Sequence, residues 1–200
     1  MTRRPCTLDR PIRQEDNSKV SLSAFAFLFA EMCLRAQTSP TKTREVMEIE
    51  SRLAAIGTGV GSRTLQLAAI RDPVTYRQRQ LKVEEMLSFL SQRVWARWFG
   101  VAASLRRSPG TESYLIVDEN LLVTRHIHPH RDTVEQVEDG SQICTLGYSS
   151  FVAGMIKGAM ESCGFGCKVE TGHYLPNKAV FQVTFNEQVW QRERRIKLSN

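Results

Sequence analysis

Residues 20–36 constrain the fold more than any other segment, because they have the period of a helix that is apolar on nearly every side. One stripe recurs at three- and four-residue steps and consists of Leu22, Phe25, Phe29, Met32 and Ala36. Other sides of the same helix carry Val20, Ala24, Phe27 and Leu28. A lone domain of this size seldom encloses its first helix completely. The sequence therefore predicts that something outside the domain covers part of helix one.

This apolar run is too short to cross a membrane. It extends over 11 residues from Val20 to Ala30, whereas a membrane-spanning helix needs about 18 to 20. The chain has five cysteines, an odd number, and its first residues lack the apolar core of a secretory signal. These features predict a reduced, cytoplasmic setting.

The charge of the chain is concentrated at its ends. Lys and Arg number 27 against 21 Asp and Glu, giving a net charge of +6. We expect residues 1–17 to form a flexible basic arm, residues 18–190 a single domain, and residues 191–200 a basic tail. No basic run is interleaved with aromatic residues, so nucleic-acid binding is not expected.

The order of the predicted elements indicates the fold class. Helices are expected at 43–70, 83–99 and 148–162, with a short charged helix at 188–197. Two hairpins are expected, one from residues 113–117 and 121–127 and the other from residues 167–175 and 178–185, with a loop at 128–142. The prediction is an α+β fold with helices on a small antiparallel four-stranded sheet.

The glycines of GTGVGS, residues 57–62, do not fit a phosphate-binding loop. A dinucleotide site needs glycine where Ser62 stands, with a strand before it, and a P-loop needs a Lys-Ser or Lys-Thr pair. Each glycine in a helix interior costs about 1 kcal/mol relative to alanine. We therefore expect Gly57 and Gly61 to allow another backbone to approach closely, and Ser150, Gly154 and Gly158 to form a similar small-residue face.

The segment CGFGC, residues 163–167, invites a metal or redox interpretation. A structural zinc site usually needs a second cysteine pair, and the redox motif has one residue fewer between its cysteines. The segment lies where a helix is predicted to end. We interpret Gly164 and Phe165 as a helix cap and the two cysteines as buried apolar side chains.

Three histidines at alternate positions, His126, His128 and His130, are the other candidate metal ligands. Pro129 interrupts them, which favours a surface loop. GYSSF lacks the second glycine of a nucleophile elbow. The residues therefore predict no catalytic centre, no resident metal and no cofactor.

Several segments together resemble the small core subunits of the transport protein particle (TRAPP), the Bet-three superfamily, and most closely its subunit-five branch. They are VSLSAFAFLFAEMC, ESRLAAIGTGVGSRTLQL, VWARWFG, YLIVDENLL and SSFVAGMIKGAMESCGFGCKV with the strand after it. The similarity covers roughly residues 18 to 190. It implies an α/β plait that associates with similar subunits through its first two helices.

The resemblance also implies a function without catalytic residues in this chain. The assembled complex acts as a guanine-nucleotide exchange factor for a Rab-one/Ypt-one class GTPase in ER-to-Golgi transport, and helps to tether vesicles. It implies a location in the cytoplasm, peripheral at the Golgi and ER, with membrane contact possible. The residues expected at the partner interface are Leu22, Phe25, Phe27, Leu28, Phe29, Met32, Ile56, Gly57, Val60 and Gly61.

Two alternatives stay open at this point. Distant members of the superfamily suggest a module that holds a lipid or small molecule between helices and sheet, and the histidines suggest a metal enzyme. Some relatives carry an acylated cysteine just after helix two, but this chain has no cysteine between Cys33 and Cys144.

Overall fold

The computed structural model describes residues 20–37, 46–72, 79–109, 111–123, 134–136, 142–144, 147–175 and 178–198. Within these ranges the chain forms five helices: α1 (Leu22–Gln37), α2 (Val46–Arg71), α3, α4 (Ser150–Ser162) and α5 (Glu187–Leu198). Helix α3 is continuous through an α-helix at Val83–Phe89, a π-helical turn at Leu90–Val94 and an α-helix at Trp95–Phe99. It ends at Gly100, which adopts a φ of 84°.

Four strands form an antiparallel sheet: β1 (Ser104–Arg107), β2 (Ser113–Asp118), β5 (Cys167–Leu175) and β6 (Lys178–Phe185). Their order across the sheet is β1-β2-β6-β5. Two shorter strands, β3 (Val134–Gln136) and β4 (Gln142–Cys144), pair with each other separately. The chain is thus an α+β protein with helices packed on a four-stranded antiparallel sheet, as the sequence predicts.

The pairing of strand β2 in that sheet differs from the first predicted hairpin. Strand β2 does not pair with residues 121–127 but lies between β1 and β6, with Leu115 opposite Arg106 and Gln182. Residues 121–123 are not a strand, and residues 124–127 lie outside the described part of the chain. Leu121 and Val123 are buried, so these apolar residues contribute to the core. The predicted loop at 128–142 contains β3.

The core lies between the helices and one face of the sheet. Ile116 of β2 and Phe181 of β6 are opposite each other and fully buried. Trp95 of α3 packs on Phe181, with 5.7 Å between ring centroids. Its indole Nε1–H donates to Oδ2 of Asp118 at 2.8 Å, which satisfies a buried donor and joins α3 to the end of β2.

The C-terminal boundary expected from the sequence requires a correction. Residues 191–198 are not a tail, because they continue helix α5. Val189 and Glu193 on this helix are buried, so its inner side belongs to the domain. Residues 1–17, expected to be an arm, lie outside the described part of the chain.

The helical segments that the structure describes include none with the length and apolar character needed to span a membrane.

Candidate functional site

Helix α1 buries one stripe of its apolar residues in the core. Phe29, Cys33 and Ala36 are buried, and Phe25 and Met32 are partly buried against the same cluster. The ring of Phe29 contacts Phe151 of α4 with 5.3 Å between centroids. Phe29 is therefore an internal residue, and its place in the predicted partner interface is corrected.

The opposite side of α1 carries large apolar side chains that face solvent. Phe27 is 78% exposed, Leu28 70% and Leu34 58%. We call these three residues the outer face of α1. Glu31 and Arg35 lie between them on the helix and pair with each other at 2.8 Å, leaving no unbalanced charge there. The predicted partner interface does not include Leu34. It stands seven residues, or about two helical turns, after Phe27, so helical spacing places it on the same side.

The second predicted helix, α2, contributes fewer of the expected interface residues. Ile56 is 40% exposed, as is Leu22 of α1, and Val60 is partly buried against the core. Further exposed apolar residues on α2 that the prediction missed are Met47, Leu67 and Ile70. Arg52 of α2 donates from Nη1 to the carbonyl oxygen of Ala36 at 3.3 Å, which joins the two helices.

Gly57 and Gly61 of α2 do not lie on a surface open to a partner. Both are buried against α4 of the same chain. A Cβ at Gly57 would stand 2.0 Å from the carbonyl oxygen of Phe151, and one at Gly61 would stand 2.1 Å from that of Met155. The close backbone approach expected for these glycines is present, but it is internal, and their assignment to the partner interface is corrected.

Helix α4 contributes two glycines of its own to this contact with α2. A Cβ at Gly154 or Gly158 would stand 2.0 Å from the carbonyl oxygens of Ala54 and Thr58, respectively. The two helices therefore touch backbone to backbone at four places. Only glycine at each place avoids the clash, and weak C–H···O contacts accompany such an approach.

The CGFGC segment forms the end of α4. Gly164 has a φ of 80°, its N–H donates to the Glu161 carbonyl at 2.9 Å, and the Phe165 N–H donates to the Met160 carbonyl at 2.9 Å. This pair of hydrogen bonds is that of a Schellman motif. Phe165 turns back into the core, and the Arg192 guanidinium carbon lies 4.4 Å from its ring centroid.

The thiols of this segment are poorly placed for metal or nucleophilic chemistry. Burial raises the pKa of the Cys167 thiol to about 12 and also raises the pKa of Cys163. Since the thiolate is the metal ligand and the nucleophile, both groups stay neutral at physiological pH. The described residues include no group of three His, Cys, Asp or Glu able to hold a metal. His126, His128 and His130 lie outside them.

Fold and surface together define a class of protein: a small α+β domain whose first helix exposes large apolar side chains to solvent. Comparison with known proteins narrows the class. The family model described as "Transport protein particle (TRAPP) component" matches residues 25–186. The chain belongs to the TRAPP family, in agreement with the resemblance found in the sequence.

Its relatives include trafficking protein particle complex subunit 5 of two organisms. The protein from Dictyostelium discoideum is 30% identical, with 96% of this chain and 99% of that protein covered. The Homo sapiens protein is 30% identical, with 90% and 87% covered. The family and these relatives support a TRAPP complex component in vesicle trafficking, and family membership implies other TRAPP subunits as partners.

A solved structure supports the fold. It is that of a trafficking protein particle complex subunit 3 from Naegleria fowleri, with a TM-score of 0.64 and 15% identity, covering 83% of this chain and 95% of that one. That protein is described as covalently bound to palmitic acid.

Proposed function

We propose that this chain is a non-enzymatic core subunit that joins other small TRAPP subunits through the outer face of α1 and the exposed Ile56 of α2. The observation that carries the proposal is the exposure of Phe27 and Leu28 on α1, where Phe27 lies nearly opposite the buried Phe29. Burying a phenylalanine side chain contributes about 1.5–3 kcal/mol. Phe27, Leu28 and Leu34 together give a partner helix a substantial apolar contact.

The assembled complex would then act as a guanine-nucleotide exchange factor for a Rab-one/Ypt-one class GTPase in ER-to-Golgi transport. In this proposal the chain supplies surface rather than a catalytic group, and it works in the cytoplasm, peripherally at the Golgi and ER. The basic helix α5 is suited to contact with acidic headgroups through the exposed Arg195, whereas Arg194 pairs with Glu187 at 3.4 Å.

A lipid-binding role is the alternative, because the Naegleria fowleri structure holds palmitic acid. Two features of this chain oppose it. Trp95, Phe181 and Met160 occupy the space between helices and sheet and are fully buried. The thiols of Cys33 and Cys167 have pKa values raised by burial to about 12, which disfavours acylation. Extraction of purified protein followed by lipid mass spectrometry decides this alternative, since stoichiometric acyl chains would favour it.

The main proposal is tested by affinity capture of the tagged full-length chain, with mass spectrometry of the captured proteins. Other TRAPP subunits are expected in the capture at stoichiometric amounts. The purified complex should accelerate nucleotide release from the Rab-type GTPase, and the chain alone should not. A capture without TRAPP subunits would overturn the subunit assignment, and a complete complex without exchange activity would overturn only the exchange-factor role. Metal analysis of the same sample tests the histidine alternative.

A further inference from the structure

Strand β1 lies at an edge of the sheet, and half of its backbone groups point away from its one neighbour. The Ser108 N–H donates to the Ser113 carbonyl at 3.0 Å, which fixes Ser108 and Ser113 as a hydrogen-bonded pair. In an antiparallel ladder such pairs alternate with pairs that point their backbone groups outward. By this alternation the N–H and C=O groups of Leu105 and Arg107 face the open edge.

The residue just before β1 supports this assignment of the backbone groups that face the open edge. The N–H of Ala103 has the same parity as that of Leu105, and it donates at 2.9 Å to the carbonyl of Ser91 in the π-helical turn of α3. A backbone acceptor from outside the sheet therefore already bonds to this edge at its first outward position. Among the residues that the structure describes, no turn or loop hydrogen bond reaches Leu105 or Arg107.

A groove of about 650 Å³ runs between this edge and α3. Its apolar lining is Phe89 of α3 and Leu105 of β1, both half-buried. Its polar rim includes Glu84, Gln92 and Arg93. An added strand beside β1 would lie about 4.8 Å away and would point alternate side chains into this groove.

The other side of such a strand would meet a positive charge. Arg106 points to the sheet face opposite the helices, and it is exposed. Two other cations of that face, Lys168 and Lys178, are paired with Glu170 and Glu119. Within the described part of the chain Arg106 has no ion-pair partner, so a carboxylate directly across the edge would complement it.

We propose that β1 accepts an extended segment of a protein partner as an additional strand, with apolar side chains toward Phe89 and Leu105 and acidic side chains beside Arg106. Main-chain hydrogen bonds to Leu105 and Arg107 hold the segment, and the alternation of apolar and acidic residues selects it. This surface is separate from the outer face of α1. It gives the subunit a second attachment point for a protein partner.

The test uses the full-length chain and a fluorescein-labelled ten-residue peptide of alternating valine and glutamate. The key variant is Arg107→Pro, which removes an outward N–H that the sheet does not use, a change that edge strands tolerate. Its matched control is Arg107→Ala, which removes the side chain and keeps the N–H. Proline is expected to weaken binding by at least about tenfold and alanine by less than about threefold. A peptide with lysine in place of glutamate should bind at least about tenfold more weakly.

Amide hydrogen exchange on the wild-type chain gives a second readout that needs no variant. On peptide binding the amides of Leu105 and Arg107 should gain protection, while that of Arg106, already bonded to β2, should not change. Absence of binding, equal binding by Arg107→Pro or by the lysine peptide, or binding without this alternating protection would each overturn the proposal.

Discussion

Phe27 and Phe29 are two residues apart on α1, yet Phe27 is 78% exposed and Phe29 is 3% exposed. The difference arises because two helical residues are separated by about 200° around the axis, which places them on nearly opposite sides. Phe29 packs on Phe151, whereas Phe27 faces away from the domain.

The pair predicts two different outcomes for the same chemical change. Phe29→Asp buries an unpaired carboxylate and leaves a cavity, so it should destabilise the chain by at least about 3–5 kcal/mol and unfold much of it. Phe27→Asp should keep the circular dichroism spectrum and weaken association with other TRAPP subunits by at least about tenfold. Circular dichroism and co-purification measure the two effects.

Leu198→Asp is a suitable control for this pair, because Leu198 is 89% exposed and belongs to α5, not to the outer face of α1. It should affect neither folding nor association. If Phe27→Asp still assembles normally, the outer face of α1 is not an interface.

Alanine substitutions at two nearby glycines of α2 should change the free energy of unfolding in opposite directions. A Cβ at Gly61 would meet the Met155 carbonyl oxygen at 2.1 Å, whereas the nearest contact of one at Gly59 would be the Arg63 guanidinium at 3.8 Å. Gly61→Ala should lower the free energy of unfolding by about 1–3 kcal/mol or more. Gly59→Ala should raise it by about 0.5–1 kcal/mol through helix propensity. Urea denaturation of both variants checks the signs, and stabilisation by both would contradict the backbone contact.

The cap at the end of α4 predicts that the stability of the chain depends on the shape of the residue at position 164. Valine at Gly164, where φ is 80°, is strained, and Gly164→Val should cost about 1–2 kcal/mol. Asparagine tolerates the left-handed conformation, so Gly164→Asn should cost clearly less. Thermal unfolding distinguishes them, and equal melting temperatures for the two variants would argue against the cap.

Two buried thiols predict a loss of stability at alkaline pH. Burial raises the pKa values of Cys33 and Cys167 from 9.0 to about 12 in the folded chain. The unfolded thiols release protons from about pH 9, so the unfolded state gains relative to the folded state as pH rises from there toward 12. The contribution is fully present below pH 9 and declines above it.

Replacing both thiols by Cys33→Ala and Cys167→Ala removes this titration. The variant should be less stable at about pH 7 because of lost packing, but the gap to the wild type should narrow by about pH 10. Urea denaturation at both pH values measures the gap. A gap that is the same at both would show that these thiols do not titrate differently on unfolding.

Local signals in the sequence were sufficient for much of the fold. The helices, the cap at Gly164 and the β5–β6 hairpin follow from period and turn chemistry that lie within a few residues. Strand β1 was missed because it is four residues long, SLRR, and three of its four residues are exposed, so it has no apolar alternation. The predicted partner of strand β2 is wrong because one true neighbour, β1, lacks a sequence signal and the other, β6, is distant in sequence.

The candidate site was predictable only in part, for a related reason. Both sides of α1 are apolar, and the period alone does not say which side is internal. The contact of Phe29 with Phe151, more than a hundred residues later in the chain, decides this. Likewise, the sequence indicated that a backbone approaches Gly57 and Gly61, but not that it belongs to the same chain.

The contact of α2 with α4 through four glycines also fixes the position of these two helices relative to each other. Helices that touch through their backbones cannot slide along each other, because any shift would bring a side chain against a carbonyl group. Phe151 is part of this contact and also the residue on which Phe29 rests. In the proposed interface, the orientation of Phe27 toward a neighbouring subunit is therefore set by glycines on two other helices. If subunits associate as proposed, a substitution at these glycines should change the angle between them without altering a residue of the proposed interface.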